Sequence, residues 1–136
     1  MWPPNHDLIN VGLAASATGN CSPVLQVLVY ANEDDQAATS PDEVDSPDAK
    51  NLANGTLRLR AERVESGDGR VYLIVVKANT GFAVATVVVP KSQSAAAVQL
   101  VNSMAAAARS YALANNGSAP PGYVVAGDGP VVGPKQ

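Results

Sequence analysis

The sequence predicts an all-β domain of antiparallel strands, followed by one helix and an extended arm. Three observations carry this. Strand-like apolar segments bounded by Gly, Asn and Pro turn clusters fill the first 90 residues. After Pro90 the apolar period changes from 2 to 3.6 over an Ala-rich run free of Gly and Pro. Beyond Gly117 the chain becomes rich in Gly and Pro, the composition of a linker or arm. The organisation that follows is a strand domain over 1–90, a helix within 91–117 and an arm over 118–136.

Pro3-Pro4 opens a first strand over His6–Ala17, whose apolar set is Leu8, Ile9, Val11, Leu13 and Ala15. Thr18-Gly19-Asn20 turns it. Pro23–Asn32 is a second strand, dense in Val and Leu. Glu33–Asn54 is a polar excursion with two prolines and seven acidic residues. Leu57-Arg58-Leu59-Arg60 then alternates cleanly, and Ser66-Gly67-Asp68-Gly69 marks a tight turn. Arg70–Ala78 is the strongest strand, and Asn79-Thr80-Gly81 folds it back on Phe82–Val89 as a hairpin. Pro90 ends that strand. The helix spans Ser94–Ala114, with Val98, Val101, Met104, Ala105, Ala108, Tyr111 and Ala112 on one stripe and Asn115-Asn116-Gly117 as its C-cap.

The 136 residues suit one domain, and at this length about 68–70% of the unfolded surface can be buried without covalent staples. No apolar run approaches the ~20 residues that span a bilayer, so membrane insertion is not expected. A net charge of −3 argues against nucleic acid as a partner. The charge is unevenly placed: residues 1–49 carry eight acids and no Lys or Arg, while residues 50–136 carry nine bases and four acids. The lone Cys21 forbids an internal disulfide or a thiolate metal cluster and reads as a small buried hydrophobe. Met1-Trp2-Pro3-Pro4 lacks the charged start and apolar core of a secretion signal, which suits a cytosolic chain or a mature, trimmed one.

Several short blocks occur in order: Trp2-Pro3-Pro4-Asn5-His6, Ala31-Asn32-Glu33, Leu59-Arg60-Ala61-Glu62-Arg63, Gly67-Asp68-Gly69-Arg70-Val71-Tyr72 and Val87-Val88-Val89-Pro90. Together they resemble the pattern of a bacterial extracellular Ig-like repeat, related in style to cadherin and hyalin-repeat domains. The resemblance covers residues 2–90 and leaves the helix and arm outside it. It implies a seven-strand antiparallel β-sandwich without catalytic function, secreted or surface-attached, and favours the trimmed reading of the N-terminus. Thr18-Gly19 and Asn79-Thr80-Gly81 stand where such repeats often place aspartates.

Calcium is the cofactor this pattern raises. Glu33, Asp34 and Asp35 offer hard oxygens, as do Asp42, Glu43, Asp45 and Asp48 further along the run. Glu62 joins Glu33, Asp34 and Asp35 from a neighbouring loop in the way the resemblance implies for cadherin-type sites. The run lacks EF-hand spacing, and a solvated acidic loop is the commoner account of such a charge run. No catalytic residues are assigned. His6 is the only histidine, its block resembles a structural corner, and neither a nucleophile elbow nor a His-Glu-x-x-His motif occurs. Gly67-Asp68-Gly69-Arg70 lacks the Lys-Ser/Thr of a phosphate loop. Arg58, Arg60 and Arg63 form a basic patch whose partners are the acids of 33–48.

The strongest strand presents a conflict. Tyr72, Ile74 and Val76 face one way, and Val71, Leu73, Val75 and Lys77 the other. The outer face therefore carries Val71, Leu73 and Val75, joined by Leu28, Tyr30, Val84 and Val88 of neighbouring strands. An apolar face of that size needs a cover. The chain's own helix, through Val101, Met104 and Tyr111, is one candidate, and another subunit is the second. Tyr123, Val124 and Val125 have strand character and could add to the edge of a neighbouring copy. The expected function is an extracellular structural or adhesive module whose partners are other copies of itself or neighbouring extracellular domains. A filament subunit joined through helix and arm is the alternative, followed by a calcium-dependent surface or carbohydrate binder.

Overall fold

A ten-residue hairpin dominates the fold. In the computed structural model, which describes residues 1–19, 23–34 and 45–129, β5 (Gly69–Ala78) pairs antiparallel with β6 (Gly81–Pro90) in continuous register from Gly69↔Pro90 to Ala78↔Gly81. Asn79-Thr80 is the connection. From Gly69 to Val76, β5 is buried on both faces, which is why its β-branched run shows no polar alternation.

The second strand, β2 (Gln26–Ala31), lies antiparallel to the far side of β5. A two-residue strand in the arm, Val124–Val125, completes the sheet along the outer edge of β2. A second sheet holds β1 (Leu8–Asn10), β3 (Ala49–Lys50) and β4 (Arg58–Arg60) in the order β1-β4-β3, all antiparallel. With the arm strand numbered β7, the larger sheet reads β6-β5-β2-β7. Val27, Val29, Tyr72, Ile74 and Val89 meet Ala49, Leu57 and Leu59 in the core between the sheets. The molecule is thus mostly β, two antiparallel sheets face to face, as the sequence leads one to expect of a sandwich.

The first strand is shorter than expected. Asn10 Oδ1 accepts the Gly12 N–H at 2.8 Å, and Gly12 adopts φ +65, turning the chain away from the sheet after three residues. Leu13 and Ala15 still pack against the core, held by Gly55 N–H to Leu13 O and by paired bonds between Asn54 and Ala15. Strand β3 lies inside the stretch read as a polar excursion. Cys21, Asp35, Asp42, Glu43 and residues 130–136 lie outside the described residues.

The helix α1 (Ala95–Ala114) begins where Ser94 Oγ accepts the Ala97 N–H at 3.2 Å. It ends with the Gly117 N–H on Ala112 O at 2.8 Å. Val101, Ala105, Ala108 and Ala112 are its buried residues, and they seat on Val71, Leu73 and Val75. The conflict on the outer face is resolved within the chain: the helix is a third layer over the larger sheet. Alanine at three of those four positions lets the backbone approach the sheet closely. Among the described residues no helix is long and apolar enough to cross a membrane.

Candidate functional site

At one end of the two sheets the chain buries a charged cluster. The turn after β4 supplies Glu62, the start of β5 supplies Arg70, and the 45–48 segment supplies Asp45 and Asp48. Arg70 is fully buried. Its Nη1 lies 3.1 Å from Glu62 Oε1 and 3.1 Å from Asp48 Oδ2, while Nε is 3.7 Å from Glu33 Oε2. Nη1 also donates to Tyr72 Oη at 3.1 Å, and the guanidinium carbon stands 5.7 Å from the Tyr72 ring centre. Burial pushes the Tyr72 hydroxyl well above the ordinary phenol range, and it donates to Arg60 O at 2.9 Å.

Arg60 is fully buried as well. Its Nη1 donates to His6 O at 2.7 Å and its Nε to Pro47 O at 3.1 Å. It thereby ties the N-terminal segment to the 45–48 segment. Arg58, two residues earlier, stays half-buried and donates to Asn51 Oδ1.

His6 completes the cluster. Its backbone adopts φ +65, its N–H donates to Ala61 O at 2.9 Å, and its ring lies over two acids. Nδ1 is 2.8 Å from Glu62 Oε2 and 3.6 Å from Asp45 Oδ2. Asp45 and Glu62 are buried, whereas the His6 side chain is 43% exposed, so the group opens to solvent on the histidine side.

Of the four acids expected to hold calcium, Glu33 and Glu62 reach this cluster from either side of Arg70. Glu33 Oε2 also accepts the Val64 N–H at 2.9 Å. Asp34 is exposed and lines an adjoining groove of about 180 Å³ with Pro47, Val124–Gly127 and Asp48, which the groove shares with the cluster. Asp35 lies outside the described residues. At the histidine Glu62 is joined not by Glu33, Asp34 or Asp35 but by Asp45, one of the further acids of the run. The arginines at 60 and 70 were legible only as charges; their burial follows from loops that sequence periodicity does not encode.

The expected contact residues divide. Val71, Leu73, Val75 and Val101 are buried in the helix–sheet interface, with Leu28, Tyr30, Val84, Val88, Met104 and Tyr123 partly buried around them. Tyr111 is exposed on the outer flank of the helix. Val124 and Val125 are exposed but pair with Ala31 and Tyr30, so the arm's strand addition is made to its own sheet here.

Comparison with protein-family models, with curated proteins and with solved structures returns no match for this chain.

Proposed function

We propose that the chain is an extracellular, non-enzymatic structural or adhesive module of Ig-like type that works through protein–protein contacts. The observation that carries this reading is the outer side of α1. A surface helix normally turns charge to solvent. This one has a single charged residue, Arg109, in twenty and presents Leu100 at 45%, Leu113 at 45% and Tyr111 at 38% exposure. The charged cluster, by contrast, points inward and spends its guanidiniums on neighbouring strands and segments, which is the work of a clasp. The Ig-like assignment and the extracellular location rest on the sequence resemblance. The partner is another copy or an adjoining domain that buries Leu100 and Tyr111.

Self-assembly is the second reading, and β6 favours it. Its ten residues carry no charge, and among the described residues no strand pairs with its outer edge.

The test places a photo-crosslinking residue at Leu100 in intact producing cells and adds protease from outside. A cross-linked adduct that external protease removes is the expected result. Adducts between copies of the chain select the self-assembly reading. An absence of adducts, or a product that external protease never reaches, overturns the proposal.

A further inference from the structure

We propose that His6, Asp45 and Glu62 form a binding site for a first-row divalent transition ion, zinc in preference to calcium. One donor atom from each side chain lies within 4.8 Å of the other two. A tetrahedral ion with bonds of roughly 2.1 Å needs donors roughly 3.4 Å apart. The measured separations of 2.8 Å from His6 Nδ1 to Glu62 and 3.6 Å to Asp45 bracket that value. Small side-chain rotations therefore suffice to seat the ion, and the exposed histidine side leaves room for water as a fourth ligand.

Charge gives a second, independent argument. Glu33, Asp45, Asp48 and Glu62 bring four carboxylates to this cluster, and the buried Arg60 and Arg70 bring two guanidiniums. Before His6 is counted these groups sum to −2, in a place largely shielded from water. Such an excess is costly unless a cation offsets it. A divalent ion supplies the missing charge where Asp45 Oδ2 and Glu62 Oε2 face the ring of His6.

The donor set decides which ion. Calcium takes six to eight oxygens and has little use for an imidazole nitrogen. One nitrogen with two carboxylates suits zinc and its neighbours. The ligands are also held from behind. Arg70 grips Glu62 Oε1 at 3.1 Å, leaving Oε2 directed at His6. The His6 backbone is fixed at both its N–H and its carbonyl. Partners of this kind orient ligands and raise affinity. Nδ1 must present its lone pair to the ion, so a proton held there moves to Nε2 or to solvent on binding, and the ion joins the N-terminal segment to the 45–48 segment and to the chain after β4.

His6 is the sole histidine of the protein, so its ring is an unambiguous reporter. The experiment titrates the full chain with zinc chloride, and separately with calcium chloride, by nitrogen NMR of the ring and by calorimetry. The expected result is saturable binding of one zinc ion with the Nδ1 resonance displaced. His6→Gln and Asp45→Asn should each weaken zinc at least tenfold, with Asp68→Asn, on an exposed turn, without effect. A ring that stays unmoved while zinc binds, or affinity unchanged in His6→Gln, overturns the proposal and places zinc on other carboxylates. Calcium binding as tight as zinc would overturn the selectivity. If the variants fail to fold, the wild-type ring signal decides alone.

Discussion

Gly117 meets Val75 at the foot of the helix: a β-carbon built on Gly117 would lie 2.9 Å from Val75 Cγ1. Gly117 also holds φ +75, a conformation other residues adopt at a cost of roughly 1–2 kcal/mol. Helix termination and helix–sheet docking thus converge on one residue without a side chain. Gly117→Ala should lower stability by about 2 kcal/mol, read as a shift of the urea midpoint with an unchanged slope. A midpoint equal to wild type would mean that the cap relaxes freely away from the sheet.

The helix layer makes a second prediction. Val101 is fully buried between α1 and the larger sheet. Val101→Ala removes two methyl groups from a packed site and should destabilise by about 2 kcal/mol. A chain ended after Pro90 should uncover Val71, Leu73 and Val75 and bind a hydrophobic dye. A soluble, dye-negative, monomeric product with the wild-type melting temperature would show that the sheet does not need this cover.

Arg70 is the centre of the clasp. Arg70→Met leaves Glu62, Asp48 and Glu33 facing one another with their shared cation gone, and should cost about 3–5 kcal/mol. Adding Glu62→Gln relieves part of that repulsion. The double variant should therefore be more stable than the sum of the two single losses, as measured by equilibrium unfolding in a double-mutant cycle.

Tyr72 governs the alkaline limit. Its phenol is held far above the ordinary 10.0 in the folded protein, because burial disfavours the anion. The unfolded chain gives up that proton near 10, so the stabilising difference is intact below that pH and is lost as pH rises beyond it. Four tyrosines are present. Tyrosinate absorbance should show one of them ionising only together with unfolding, and Tyr72→Phe should abolish that step.

The hairpin and the helix were legible because each repeats a simple period: two in β6, 3.6 from Val101 through Ala105, Ala108 and Ala112. The apolar outer face of β5 was legible too, and with it the need for a cover, although the sequence left open which cover. The site was much less so. In β4 the alternation puts Leu59 inward and Arg60 on the opposite side, which period alone assigns to solvent. That side is roofed by the N-terminal segment and the 45–48 segment, whose paths depend on turns at His6 and Pro47. Likewise the acidic run names many possible ligands, and only tertiary folding selects Asp45 to stand beside the ring of His6. A two-residue strand such as β3 has too few residues to express a period at all.

The arm is fastened to β2 by little: the pairings Ala31↔Val124 and Tyr30↔Val125, and the Ala126 N–H on Val29 O at 2.9 Å. Tension entering from the C-terminal side meets the Lys50 contacts to Asp128 and Gly129 O, then this short ladder, before it reaches the helix or the hairpin. Once these contacts give, residues 118–129 can extend to at most roughly 40 Å. If the chain links other bodies as proposed, β7 is a shock absorber that yields and can pair again with β2.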